Sequence, residues 1–353
     1  MSRRTTGKRV VKVLSGAVCV TLGVTACGSS KPAGPVASGA FAPSTSAACT
    51  AGAKEGTLNY WSRTDAADFD KEIAPFRAKY PGIKVNFTSV TPTDATQKII
   101  TEVQANHALD VDATSTDFGS SQPLFDQKLV TNVDWSALGV PKNLLLTYGG
   151  VGTFRTFRDF LGIGYNPKVV APVDVPTTWD QLVSSKYSGR VIVDPRGIYL
   201  SGLAVAWGES KTTTWFDSLL KTTKPQVVKG ATSSIQKVVS GEALFTTSAT
   251  TSAVTSAKES GTPIAIAYLD LVPSQDKYGV ILAKGQHPNA AACFLSWFGS
   301  AEGQAQQLKV EFKDNADLPA TMPSGATLSV ATTVDNQNVQ NSVASTMSKA
   351  LSK

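Results

Sequence analysis

Hydrophobic and polar positions run along the chain in two alternating periods. Residues 57–61 (Thr57-Leu58-Asn59-Tyr60-Trp61) read as a short strand, and Ser62-Arg63-Thr64-Asp65 behind them supplies helix-capping residues. Ile73, Phe76, Arg77 and Tyr80 then fall near helical spacing until Pro81-Gly82 ends the run. A strand at 83–87, an amphipathic helix at 94–105, a strand at 111–114 and a helix at 118–129 follow. This alternation predicts an α/β domain with a mainly parallel sheet. The pattern loosens after Asp134-Trp135, through a stretch at 147–160 rich in glycine and aromatics. It resumes as helices at 178–184, 201–208, 213–220 and 233–240, with strands at 190–193, 244–247, 262–268 and 278–282. Further helices are expected at 289–298, 301–308 and the C-terminal stretch. No internal repeat of 20–50 residues is visible.

At 353 residues, 42% hydrophobic and 17% charged, the chain is too apolar to be disordered and long enough for about two domains. Its formal charge of +6 invites a nucleic-acid partner, but the charge is unevenly placed. Arg3, Arg4, Lys8, Arg9 and Lys12 all precede Cys27 with no acidic residue among them, leaving 28 basic against 27 acidic residues beyond. The basic excess belongs to a leader, and no nucleic-acid partner is expected.

That leader has a basic start, an apolar core from about residue 13 to 24, and small residues ending at Cys27, the layout of a secretory signal covering 1–26. The core is shorter than the ~20 apolar residues a permanent span needs. Val24-Thr25-Ala26-Cys27 resembles a bacterial lipobox, which implies lipidation at Cys27 and a place at the outer face of the cell membrane. Residues 28–55, mostly Gly, Ala, Ser, Pro and Thr, read as a flexible tether, so 27–55 is expected to link the lipid to the body. Cys49 and Cys293 remain for a disulfide in an oxidising compartment, although Cys293 among alanines also suits a small buried hydrophobe. His107 and His287 show no zinc-ligand spacing with them.

Four stretches carry a family likeness. Residues 161–167 (Leu-Gly-Ile-Gly-Tyr-Asn-Pro) followed by Val175-Pro176-Thr177-Thr178-Trp179-Asp180-Gln181-Leu182 form the first. The second is 187–195, ending Val193-Asp194-Pro195, and the third is Ser240-Gly241-Glu242-Ala243. The fourth is His287-Pro288-Asn289-Ala290-Ala291 with Ser300-Ala301-Glu302-Gly303-Gln304. In this order, over roughly 57–310, they resemble the extracellular solute-binding proteins of bacterial ABC transporters. The closer likeness is to the two-lobed, type II group of ferric-iron, polyamine, thiamine and phosphonate receptors.

The resemblance implies lobe one at 57–153 plus 262–353 with the C-terminal helices, lobe two at 154–261, and a solute cleft between them. The chain would cross near 153–162 and return near 260–268. Strand ends and helix N-termini then offer Trp61, Ser62, Arg63, Thr114, Ser115, Thr116, Asp194, Arg196, Gly197, Thr246, Thr247, Ser248 and Tyr268 as ligand contacts. Ser62 and Thr64 also suit a helix cap, Arg196 a pair with Asp194, and Trp61 and Tyr268 the core. Ferric receptors of the group commonly pair tyrosinates late in lobe two, where this chain has only Tyr268. A polyamine site wants several carboxylates. The two arginines among hydroxyls favour a small anionic, oxygen-rich solute, with a ferric or polyamine receptor as alternatives. A secreted hydrolase is the rival class, but no G-x-S-x-G elbow, P-loop or dinucleotide fingerprint occurs, and no cofactor is expected. The implied partners are a small solute, an ABC permease and the membrane.

Overall fold

The elements follow in chain order as Thr45–Glu55 (α1), Thr57–Ser62 (β1), Ala66–Glu72 (α2), Ala74–Lys79 (α3), Lys84–Ser89 (β2), Pro92–Gln104 (α4), Ala113–Thr116 (β3), Phe118–Asp126 (α5), Leu145–Tyr148 (β4) and Val151–Tyr165 (β5). Next come Trp179–Leu182 (α6), Val191–Val193 (β6), Ala204–Trp207 (α7), Glu209–Thr223 (α8), Gln226–Val227 (β7), Ala231–Val239 (α9), Phe245–Thr250 (β8) and Thr251–Glu259 (α10). The chain continues through Ala265–Ala267 (β9), Leu271–Ile281 (β10), Pro288–Phe298 (α11), Ala301–Glu311 (α12) and Thr327–Ser329 (β11) to Val334–Leu351 (α13). This computed structural model describes residues 40–352. The signal segment 1–26 and Cys27 lie outside the described residues.

Two lobes share two long strands. In lobe one, β2, β1 and β3 pair in parallel, and β10 joins β3 antiparallel. In lobe two, β7, β6 and β8 pair in parallel, and β8 joins β5 antiparallel. β5 is the bridge. Its residues 154–160 pair with β10, and its residues 161–165 pair with β8 and β9. The glycine-rich, aromatic stretch at 147–160 is thus largely strand, opened by a Gly149-Gly150 turn with both residues at positive φ, the conformation a tight hairpin needs.

Each lobe covers both faces of its sheet with apolar side chains. In lobe one, Tyr60, Phe69, Phe76 and Phe294 pack on one face, and Phe118, Tyr148 and Tyr278 stack on the other. Lobe two buries Trp179, Trp215 and Phe216 on one side and Ile192, Ile235 and Val254 on the other.

Three expectations of domain layout need correction. Residues 45–55 are not tether but α1, capped by Ser44 and packed on α11. The contact is close because Gly52 has no side chain: a Cβ there would stand 2.7 Å from Ala290 Cα. Cys49 and Cys293 are joined by a disulfide across this same contact. Second, the return crossing comes later than 260–268. β9 still pairs with the lobe-two half of β5, where Gly162 lets the Ala267 carbonyl approach to 2.3 Å of where a Cβ would sit. Third, α13 is seated mainly in lobe two and not in lobe one: Val343 and Met347 sit among Trp215, Leu219 and Leu271 of the lobe-two cluster, while Val334 at its start packs against the lobe-one cluster of Phe118 and Tyr148.

Candidate functional site

β1 delivers Ser62, Arg63 and Thr64 to the mouth between the lobes. Ser62 still belongs to the strand, and the cap of α2 is Asp65, whose side chain accepts from Ala67 N–H. Ser62 and Thr64 are therefore free of capping duty. Thr64 donates to Glu311 at 3.1 Å instead, and the Ser62 hydroxyl oxygen accepts from Thr64 N–H at 3.3 Å. Arg63 is exposed and, among the described residues, makes no ion pair.

Across from it stands α9. Its N-cap is Gly230, at φ 92°, and no side chain caps it. A helix leaves its first N–H groups without intrahelical partners, so residues 231–233 present open donors and the positive end of the helix dipole. Arg63 and this helix start line one cavity of about 370 Å³, together with Ser115, Tyr199, Asp159 and Lys313. A second cavity, of about 820 Å³, opens beside it and is lined by Arg63, Arg196, Lys229 and Lys277.

The charges there are differently engaged. Arg196 grips Asp194 through Nε to Oδ1 and a terminal N to Oδ2, both 2.8 Å, and Asp194 also accepts from Gly230 N–H at 2.7 Å. Burial acts to raise the Asp194 carboxyl, but these hydrogen bonds outweigh it and hold the group below its ordinary value. Asp194 thereby ties the Arg196 loop to the start of α9. Burial raises the Tyr199 phenol, while the charges of Arg196 and then Arg63 oppose the rise, so both guanidinium groups act at one place. Lys277 pairs with Asp117 at 2.6 Å. Burial raises the Asp159 carboxyl above its ordinary value, although Ser252 donates to it through N–H at 2.8 Å and Oγ at 2.6 Å.

Of the residues singled out in the sequence, Ser62, Arg63 and Ser115 line the smaller cavity and Arg63 and Arg196 the larger. The fold uses the others for support. Trp61 is buried in the lobe-one core with Lys98 Nζ 4.5 Å from its ring centroid. Thr114 and Thr116 lie buried in β3, paired with β10. Thr246, Thr247 and Ser248 are buried within β8, where Thr247 donates to the Ile192 carbonyl at 3.1 Å. Tyr268 packs edge-on against Phe160 where the lobes join, its hydroxyl 2.9 Å from that of Thr251. Gly197, at φ 68°, makes room for α13, since a Cβ there would lie 2.7 Å from the Ala344 carbonyl oxygen.

Several lining residues were not singled out: Tyr60, Tyr199, the start of α9, Gln307, Glu311 and Lys313. Only the α9 start has a local signature, Gly230 followed by small and hydroxyl residues ahead of an apolar stripe. Among the described residues, no three His, Cys, Asp or Glu side chains cluster as a metal site, and no helix is long and apolar enough to cross a membrane.

A two-lobed α/β body with a solvent-open cleft at strand and helix ends is the build of a binding protein for small solutes. The chain belongs to the bacterial extracellular solute-binding protein family, whose model matches residues 71–322. Such proteins are extracytoplasmic solute-binding components of ABC transporters and not enzymes. Among solved structures, iron-bound HitA from Pseudomonas aeruginosa superposes with a TM-score of 0.69 at 18% identity, over 84% of this chain and 99% of that one. The ferric binding protein from Campylobacter jejuni gives 0.68 at 16%, over 83% and 99%. AfuA from Actinobacillus pleuropneumoniae, with exogenous fructose-6-phosphate bound, gives 0.63 at 16%, over 84% and 97%. No curated protein matches the chain by sequence.

Proposed function

We propose that the chain captures a small anionic, oxygen-rich solute in the interlobe cleft and passes it to an ABC permease while held at the membrane by lipid on Cys27. One observation carries the anionic reading. Arg63, without an ion pair among the described residues, and the uncapped start of α9 face the same cavity from opposite lobes. Closure onto an anion would let a lobe-one guanidinium and lobe-two N–H donors share it, which gives the solute a differential affinity for the closed state. Arg196, its charge met by Asp194, lines the adjoining cavity together with Arg63 and Lys229.

A thermal-shift screen of the purified protein against phosphonates, sugar phosphates, sugar acids, polyamines, thiamine and ferric citrate tests this. A true ligand at a hundred times its Kd adds ~2.7 kcal/mol of stability. The best anionic ligand should then lose roughly ten- to two-hundredfold in affinity on Arg63→Ala, the effect of removing a charge-assisted contact of ~1.5–3 kcal/mol. Stabilisation by polyamines alone would replace the anionic reading with a cationic one, stabilisation by ferric citrate alone would favour a ferric receptor, and an unchanged Kd in Arg63→Ala would overturn the anionic site built on Arg63. For the anchor, Cys27→Ser should leave the protein unprocessed or release it to the medium, and a mature-sized, fully membrane-bound variant would refute lipidation.

A further inference from the structure

We infer that the lobe-one floor of the smaller cavity recognises hydroxyl groups, so that the solute is an anionic group carried on a polyhydroxylated body, as in a sugar phosphate or a sugar acid. This rests on the anionic reading above and extends it to the rest of the ligand. Two atoms carry it. The Tyr60 hydroxyl and Gln307 Oε1 belong to residues 0% and 1% exposed, both residues line the cavity, and among the described residues neither atom has a hydrogen-bond partner. Gln307 spends its amide nitrogen on the Phe298 carbonyl at 3.2 Å, which fixes Oε1 as an acceptor awaiting a donor. Glu72 does not line the cavity, but it is fully buried behind Tyr60, near enough for its charge to act on that phenol, and both its carboxyl oxygens are likewise without partners. Buried polar atoms are normally paired, so two such atoms on residues that line one cavity mark a place where something else completes the bonds.

The chemistry of the wall favours a neutral donor over an ammonium. Lys313 stands in it, with Nζ 2.7 Å from Glu311 Oε1 and 4.8 Å from the Phe157 ring centroid, so the Glu311 charge is already met and an incoming cation would be repelled. Asp159 is engaged by Ser252. Burial first, and then the neighbouring Glu311, push the Glu72 carboxyl up to about 8, which leaves it uncharged at neutral pH. What remains is a set of acceptors and two-way hydroxyls, Tyr60, Ser62, Ser115 and Gln307, with little net charge. Alcohol groups both donate and accept and suit such a set. A cavity of about 370 Å³ also falls within the ~300–1,000 Å³ usual for small-molecule sites.

Tyr60→Phe separates a binding role from a packing role. The ring keeps its contacts with Phe69 and Phe294, and what is lost is a hydroxyl with no hydrogen bond of good geometry, near which the Ser115 and Ser62 side chains stand. Calorimetry on the purified protein would use glucose 6-phosphate, fructose 6-phosphate, gluconate, glucosamine 6-phosphate, inorganic phosphate and glucose. The expected result is that at least one hydroxylated anion binds at least tenfold more tightly than inorganic phosphate. Tyr60→Phe should weaken that binding about tenfold, leave inorganic phosphate unchanged, and leave Tm equal or higher. Arg63→Ala should weaken hydroxylated anions and phosphate alike. Whether the phosphates or gluconate bind identifies the carrier of the charge. Equal affinity for phosphate and all hydroxylated anions, no effect of Tyr60→Phe, or no binding of any probe at millimolar concentration would overturn the proposal. A Tyr60-dependent preference for glucosamine 6-phosphate over the plain sugar phosphates would assign the floor to an ammonium and overturn it too. Tyr60-dependent binding of glucose with no binding of any anion would uphold the hydroxyl floor and remove the anionic reading.

Discussion

Arg158 and Asp276 sit directly opposite one another on β5 and β10, the two strands that pass between the lobes, and their side chains close a buried ion pair with Arg158 Nε 2.8 Å from Asp276 Oδ1. Ser274 and Tyr278 also donate to the Asp276 carboxylate, at 3.0 and 3.3 Å, and Arg158 donates onward to the Asp317 carbonyl at 3.2 Å. The crossover is therefore stiffened by charge at the register position where the two sheets meet.

Removing one partner strands the other in a buried site, which typically costs ~3–5 kcal/mol. Arg158→Met and Asp276→Asn should each lower stability by about that amount in urea unfolding, and the double variant should cost less than the two losses added. Single variants within ~1 kcal/mol of wild type would show that the pair contributes little.

Glu72 imposes a pH dependence on stability. Its folded value of about 8 lies above the ordinary 4.5, so the unfolded chain ionises this carboxyl first as pH rises. Stability supported by the protonated group is fully present below about 4.5 and is lost progressively up to about 8. Relative to Glu72→Gln, wild type should lose Tm across that window and stay parallel above it. A Tm difference that does not change with pH would contradict the shift.

The Cys49–Cys293 disulfide spans 244 residues and pins α1 to α11. The Cys49→Ser, Cys293→Ser double variant should lose about 2–4 kcal/mol, with proteolysis opening first within 45–55. Solute affinity should not change, because neither cysteine lines the cleft. Unaltered protease resistance of this segment would show that packing alone holds it.

Gly197→Ala tests how α13 is seated. A side chain there meets both a positive φ and the Ala344 carbonyl, so a loss of about 1–3 kcal/mol is expected, with increased hydrogen exchange along α13. Wild-type exchange would mean that the helix accommodates the methyl group freely.

Local pattern was enough to read the strand–helix alternation as far as α5, and the helices expected at 94–105 and 118–129 appear as Pro92–Gln104 and Phe118–Asp126. Those elements declare themselves because each carries its own apolar face or breaker residues. The order of short motifs from Tyr165 to Gln304 likewise carried the family, and Arg63 was legible as a charged residue at a strand end. α1 was not, because its buried side is Ala48, Cys49 and Gly52, too small to make an amphipathic stripe, and its stability comes from α11 and the disulfide. Nor did the Val343 and Met347 stripe of α13 reveal which lobe would bury it, since an apolar face states the need for a partner without naming one. The cleft floor is the extreme case. Tyr60, Gln307 and Glu311 stand more than 240 residues apart in part, on β1 and α12, and each alone reads as an ordinary core or surface residue. Sequence set the local periods and the chemistry available at each position. Only the folding of two sheets about β5 and β10 decided which of those groups would line the same cavity, and that the Tyr60 hydroxyl and Gln307 Oε1 would be buried there without a partner while Glu311 met Lys313.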